Sequence, residues 1–247
     1  NKLVKENQSF AREFLRLFNQ GCNILVKAEY LNPGGSIKDR AAFYLIQDGL
    51  DKNLIGKNAT IVEGTAGNTG IGLAHICNAL GFKCVIFMPD NQSKVFKIES
   101  FESQFFFFQG KNHILKTLGA QVTTVPVVPF TDPNNFNHFY VIKQMNDCFR
   151  ARFLFILGET YAEENKNCLW TNQFDNRANR MGHYVSTGPE IDRKSTRRTP
   201  VTSLSRTGGT LAGVSMYLKE KNSRIRTVLA DPPVNSLYER FFSHVSA

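Results

Sequence analysis

An α/β fold with a parallel sheet is predicted for this chain of 247 residues, because short apolar runs, glycine turns and helix-period segments follow one another in order. Two places carry the prediction: residues 60–63, Thr-Ile-Val-Glu, which run into Gly64-Thr65-Ala66-Gly67-Asn68-Thr69-Gly70, and the compact apolar run Cys84-Val85-Ile86-Phe87-Met88. Strand, glycine turn, helix, strand is the wiring of a parallel sheet with crossovers. The length suffices for a substantial core in one large domain or two smaller ones sharing a cleft.

Taken in order, residues 23–29 read as a short strand that delivers the turn Asn32-Pro33-Gly34-Gly35. A helix then starts near Ser36 or Asp39 and passes through Ala41, Ala42, Tyr44 and Leu45, which puts Lys38 in its first turn. After the strand at 60–63, a helix over about 70–80 is apolar at Ile71, Leu73, Ala74, Ile76 and Leu80, as expected of a helix packed between other elements. The strand at 84–88 is ended by Pro89-Asp90, and 122–128 is a further strand whose Pro126 argues for an edge or an early end. Three stretches break the order. Residues 94–108 end in four consecutive phenylalanines, residues 147–158 set Phe153–Leu157 beside Arg150 and Arg152, and residues 192–206 form a Ser/Thr/Arg-rich segment that reads as an exposed loop.

Composition narrows the function classes. The formal charge is +9, but five cations against one Asp in residues 192–206 supply much of the excess, and no RNA-binding strand motif or finger spacing accompanies them. Nucleic acid is therefore not the expected partner. No apolar run approaches the roughly 18–20 residues that span a bilayer, so no transmembrane segment is expected. The five cysteines are scattered without a CxxC pair, which argues against a disulfide framework or structural zinc and for a reducing compartment. The histidines show no metal-ligand spacing, and His75, in an apolar helix, reads as structural; no metal is expected.

Two glycine turns and one lysine carry the chemistry. Lys38 sits behind a flexible turn, where a lysine is either an ordinary surface residue or one aimed into a cleft as a covalent or acid-base group. Thr65 to Gly70 offers hydroxyls, an amide and backbone N–H groups at a helix start. It is either an ordinary turn or a seat for a carboxylate or phosphate. It lacks the Gly-Lys-Ser/Thr of a nucleotide loop and the spacing of a dinucleotide fingerprint, so an anion smaller than a nucleotide is implied. Thr207-Gly208-Gly209-Thr210 repeats the arrangement before a helix whose buried face is marked by Leu211, Val214 and Leu218, and it suits a phosphate group or a plain loop.

Asn32 to Arg40, Glu63 to Ala74, Asn172 to Asn176, Thr187 to Glu190 and Thr207 to Gly213 together resemble the successive signatures of the pyridoxal-phosphate-dependent cysteine synthase and cystathionine beta-synthase family, nearest its eukaryotic cysteine-synthase-like members. The resemblance covers roughly residues 21–93, 109–146, 159–191 and 207–240. It implies the two-domain, fold type II architecture with parallel-sheet cores: residues 1–60 in the large domain, 61–146 in a small mobile domain with an insertion at 94–108, and 147–247 back in the large domain. It implies pyridoxal 5′-phosphate as cofactor and Lys38 as its Schiff-base lysine. Thr65, Gly67, Asn68 and Thr69 become the loop for the amino-acid carboxylate, with Asn68 also facing the pyridine hydroxyl oxygen. Gln173 lines the substrate pocket, and Thr207, Gly208, Gly209 and Thr210 form the phosphate cradle. The implied reaction is β-replacement of O-acetylserine by sulfide through an aminoacrylate, in a homodimer that is cytoplasmic or mitochondrial. The alternatives are a serine–homocysteine condensation and a noncatalytic cofactor-binding relative.

The chain also departs from the family pattern. Arg206 stands where a glycine is usual, Ala66 where a serine is common, and the N-terminal Gly-Asn-Thr-Pro segment is replaced by residues 6–18. Residues 192–206 lack the apolar strand expected to feed the phosphate loop, while 94–108 and 147–158 interrupt helical regions. The family continues past the position of Ala247 and supplies a serine to the pyridine nitrogen that has no counterpart here. A truncated, locally disrupted member is expected.

Overall fold

The computed structural model describes residues 25–65, 67–90, 102–126, 149–194, 201–204 and 207–230. Among these residues the main sheet has four parallel strands, β1 (Thr60–Gly64), β2 (Lys83–Asp90), β3 (Gln121–Pro126) and β4 (Cys168–Trp170), in the spatial order β3-β2-β1-β4. Val62 of β1 stands opposite Val85 on one side and Trp170 on the other, so β1 lies inside the sheet, and among the described residues β3 is at an edge. A second sheet pairs β5 (Val201–Leu204) with β6 (Thr227–Ala230), again in parallel.

Helices α1 (Lys38–Asp51), α2 (Asn68–Leu80), α3 (Glu102–Thr117), α4 (Phe149–Glu164), α5 (Arg177–Gly182), α6 (Gly188–Lys194) and α7 (Gly209–Lys221) connect and cover these strands, and a π-helical turn, His183–Thr187, joins α5 to α6. The main core interlocks Ala42 and Ile46 of α1, Leu73 and Cys77 of α2, Ile61 and Ile86 of the sheet and Leu115 of α3. Each such fully buried large side chain contributes up to about 1.5–3 kcal/mol. A smaller core gathers Val214 and Leu218 of α7 with Ile225. No helix among the described residues is long and apolar enough to cross a membrane.

Several expectations need correction. Residues 25–28 pair with no strand among the described residues and lead into a 3₁₀ turn, Glu29–Leu31, while Leu25 and Val26 lie exposed; residues 23 and 24 are outside the described residues. Ion pairs explain the departure, for Glu29 is bound by Arg40 and Lys27. Helix α2 begins at Asn68, earlier than the expected residue 70. Strand β2 runs through Pro89 instead of stopping before it, because β1 ends opposite Phe87 and beyond that point β2 pairs with β3 alone. The proline's missing N–H is tolerated on a side with no partner strand.

The three awkward stretches are more regular than their composition suggests. Residues 102–108, including the four phenylalanines, lie in α3, and residues 149–158 lie in α4; residues 94–101 fall outside the described residues. Residues 192–194 close α6, and Val201–Leu204 forms the strand that the sequence reading had missing, held by its register with Thr227–Ala230. Thr202 and Ser203 have modest apolar content, so pairing and not hydrophobic pattern makes this strand. Ala66, Arg206 and residues 231–247 lie outside the described residues.

Candidate active site

The loop before α1 is fixed by charge. Arg40 makes a two-pronged ion pair with Glu190, 2.8 Å on each side, and its Nε donates to Glu29 at 2.8 Å. Lys27 adds a 2.5 Å contact to Glu190. These pairs hold the Glu190 carboxyl down to about 2, with Arg40 the largest influence. Asn32 donates to Glu29 and to the Ser36 carbonyl, and Gly34 N–H donates to Asp39 at 2.6 Å. The turn that carries Lys38 is therefore tied at both ends to α1 and α6.

Lys38 is half-buried, and its Nζ lies 3.2 Å from Thr207 Oγ1 across 169 residues of sequence. Thr207 precedes Gly208, whose φ of 81° is in the left-handed region that glycine enters without penalty and that turns the chain into α7. Helix α7 has no side-chain cap, and its first intrahelical bond is from Ala212 N–H to the Gly208 carbonyl. Among the described residues, no partner is recorded for the N–H groups of Thr210 and Leu211, the groups an anion at the helix start would meet. A Cβ on Gly209 would collide with Asn179 Oδ1, so the close approach of this loop to α5 requires glycine.

Sequence reasoning missed two residues at this cradle. Asn179, 3% exposed, donates Nδ2 to the Gln173 carbonyl at 2.8 Å and to Thr207 Oγ1 at 3.2 Å. His183, 1% exposed, sits between Thr187 Oγ1 at 2.9 Å from Nδ1 and Thr210 Oγ1 at 3.2 Å from Nε2. Burial, aided by the nearby Lys38 and Arg40 charges, brings the imidazole down to about 4 and keeps it neutral. Asn179, His183 and Thr187 recur every four residues and are all buried, a polar stripe on one helical face. That spacing was the signal available in the sequence.

The second turn leads from β1 into α2. Thr65 is buried and accepts from Gly67 N–H at 3.3 Å, and α2 starts at Asn68 without a side-chain cap. Thr69, 3% exposed, donates to Gln173 Oε1 at 2.7 Å, and Gln173 Nε2 faces Glu63 Oε1 at 3.4 Å. Lys111 of α3 brings Nζ to 3.7 Å from where a Cβ on Gly67 would stand, placing a cation beside the loop. Gln173 links the two turns: its side chain reaches Thr69, and its carbonyl accepts from the same Asn179 amide that binds Thr207. The structure thus brings Lys38, Thr207, Gly208, Gly209 and Thr210 to one cradle and Thr69 and Gln173 to the adjoining turn.

Fold and site define a parallel-sheet α/β protein with a lysine set against an uncapped helix start. Residues 13–246 match the family described as pyridoxal-phosphate dependent enzyme. Cysteine synthase 1 of Neurospora crassa is 45% identical over 90% of this chain and 51% of that protein. An O-acetylserine dependent cystathionine beta-synthase of Helicobacter pylori superposes with a TM-score of 0.66 at 29% identity, over 86% of this chain and 58% of that one. A hydrogen sulfide-producing enzyme of Fusobacterium nucleatum gives 0.63 at 30% identity, over 84% and 58%. The chain belongs to the pyridoxal-phosphate-dependent enzyme family, within its cysteine synthase and cystathionine beta-synthase group. It spans about half the length of the curated relatives it matches.

The residues present fit the family's cofactor. The Lys38 amine stands beside a helix start that has no side-chain cap among the described residues, and Thr207 Oγ1 accepts from Lys38 and Asn179, which leaves its own proton for a phosphate oxygen.

Proposed function

We propose that this chain carries the catalytic half-site of a cysteine-synthase-like β-replacement, in which O-acetylserine loses acetate from Cβ and sulfide takes its place. The observation that carries this reading is the contact of Lys38 Nζ with Thr207 Oγ1, which sets an amine beside the uncapped start of α7. Pyridoxal 5′-phosphate, when bound, supplies an electron sink for the negative charge that develops at the substrate's Cα. Lys38 would hold the cofactor through its amine and would remove the substrate's Cα proton. Thr207, Gly208, Gly209 and Thr210 hold the phosphate, and neutral His183 supports the Thr210 hydroxyl without adding charge.

Thr65, Gly67, Asn68 and Thr69 would receive the substrate carboxylate at the start of α2, Asn68 would also serve the ring hydroxyl oxygen, and Gln173 would line the pocket. The division into a large domain from residues 1–60 and 147–247 and a small mobile domain from 61–146 belongs to the same reading. A homodimer in a reducing compartment, cytoplasmic or mitochondrial, completes it; the described cysteines are free, and burial pushes the Cys168 thiol up to about 11.

Cofactor-loaded protein is to be incubated with O-acetylserine plus sulfide and, separately, with serine plus homocysteine. Sulfide-dependent cysteine formation is the expected result. Cystathionine from the second pair alone would reassign the substrates, and no product from either would leave a cofactor binder without turnover.

A further inference from the structure

We infer that Thr187 and His183 are positioning residues for the cofactor phosphate: the Thr187 hydroxyl holds the imidazole with its proton on Nε2, and that N–H binds Thr210 Oγ1 so that the Thr210 proton is left for the anion. The inference rests on the proposed function, since it deepens what Thr210 does there.

His183 is buried, with Nδ1 2.9 Å from Thr187 Oγ1 and Nε2 3.2 Å from Thr210 Oγ1. Burial, helped by the charges of Lys38 and Arg40, keeps the ring neutral. A neutral imidazole has one N–H and one bare nitrogen, so one contact donates and the other accepts. Thr187 decides which. It is 2% exposed, and among the described residues its hydroxyl has no hydrogen-bond partner besides His183. Its neighbour Ser186 gives its proton to the Gly182 carbonyl at 2.7 Å, the common choice of a hydroxyl within a helix, but Thr187 makes no such bond. Were Thr187 to accept from Nδ1–H, its own proton would be buried without an acceptor, which is costly. Donating to a bare Nδ1 spends that proton and places the imidazole's on Nε2.

Nε2–H then donates to Thr210 Oγ1. A hydroxyl that accepts there keeps its proton, and a phosphate oxygen, which only accepts, can take it. The opposite tautomer would draw the Thr210 proton toward His183 and offer the anion lone pairs alone. Thr207 reaches the same polarity by a different route, from the Lys38 and Asn179 donors. The Thr210 route uses no charge and no group that takes part in the chemistry. It is also held rigidly, because the turn between α5 and α6 lies so close to α7 that a Cβ on Gly213 would collide with the Arg180 carbonyl and His183 Cβ. A donor set in advance need not be reoriented when the anion arrives.

The test reads the tautomer and its consequence. Protein carrying isotope-labelled histidine and loaded with pyridoxal 5′-phosphate is to be studied at pH 8 by nitrogen NMR, with the His183 ring identified by the signals lost in His183→Gln. A proton on Nε2 is expected, and a proton on Nδ1 overturns the inference. Cofactor affinity, followed by absorbance on titration, supplies a double-mutant cycle. Thr187→Val should weaken pyridoxal 5′-phosphate by about fivefold, and in a Thr210→Val background the same change should alter affinity by less than about twofold. An equal loss in both backgrounds, or none in the first, also overturns it, because a merely structural Thr187 would not act through Thr210. Should Thr187→Val fail to fold, His183→Phe takes its place in the cycle with the same two outcomes. If the folded, unmutated protein takes up no cofactor, the proposed function and this inference fall together; if it binds the cofactor with the proton on Nδ1, only this inference falls.

Discussion

The turns at Thr65–Gly70 and Thr207–Thr210 are built alike, each a strand running through glycine into an uncapped helix, yet their hydroxyls are wired in opposite senses. Thr69 gives its proton to Gln173, behind which stands the buried Glu63 carboxyl. Thr207 instead accepts from the Lys38 ammonium and the Asn179 amide, and keeps its proton to offer. The local motif sets only an open helix start. What lies behind it, an anion in one case and a cation with a neutral imidazole in the other, decides whether the hydroxyl accepts or donates. Of the two, the Thr207 hydroxyl keeps a proton for a ligand oxygen, while the Thr69 hydroxyl has its proton engaged by Gln173.

Substitutions at the cradle should produce the largest effects. Lys38→Ala removes the amine from the Thr207 turn and should cut product formation by about 10³-fold or more in a turnover assay while leaving the thermal midpoint nearly unchanged. Gly209→Ala forces a methyl group into Asn179 Oδ1 and should cost about 1–3 kcal/mol in urea unfolding, with weaker cofactor retention on dialysis. The matching change at Gly67 meets only the far end of the Lys111 side chain, so Gly67→Ala should cost less. That ranking sharpens the comparison: the phosphate turn is closely packed and the carboxylate turn has room.

The two buried groups behind the turns should also respond oppositely to pH. His183 falls from its ordinary 6.5 to about 4, so an unfolded chain takes up a proton that the folded one refuses, and stability is lost as pH drops from 6.5 to 4. Glu63 rises from 4.5 to about 7, so its contribution is present below 4.5 and lost as pH climbs through 7. Each limb is worth up to about 3 kcal/mol. Urea titrations should show His183→Phe flattening the first limb and Glu63→Gln the second. The smallest effect is expected at the Arg40–Glu190 pair, where Arg40→Lys loses the two-pronged geometry but keeps the charge; about 1 kcal/mol or less should appear in the same titrations, since Glu190 is partly exposed.

Much of this arrangement was legible in sequence because local chemistry dictated it. Lys38 falls in the first turn of α1, as the Gly-Gly turn before it required, and the apolar residues Ile71, Leu73 and Ala74 are buried as their spacing demanded. The errors came where distant contacts override local preference. Leu25 and Val26 favour a strand by composition, but the Arg40–Glu29 pair places the segment beside α1. Val201–Leu204 reads as loop and becomes a strand because Thr227–Ala230 runs beside it. Asn179 and His183 were overlooked for a different reason. Each looks like an ordinary polar helix residue until the fold brings Thr207 and Thr210, 28 and 27 residues further along, into hydrogen-bonding distance.

The most direct test of the account is chemical trapping of the cofactor. Protein loaded with pyridoxal 5′-phosphate should be reduced with borohydride, digested and mapped by mass spectrometry. A pyridoxyl adduct on the peptide carrying Lys38, lost in Lys38→Ala, is the predicted result. Folded protein that gives no adduct, or an adduct that persists on another lysine when Lys38 is replaced, would contradict it.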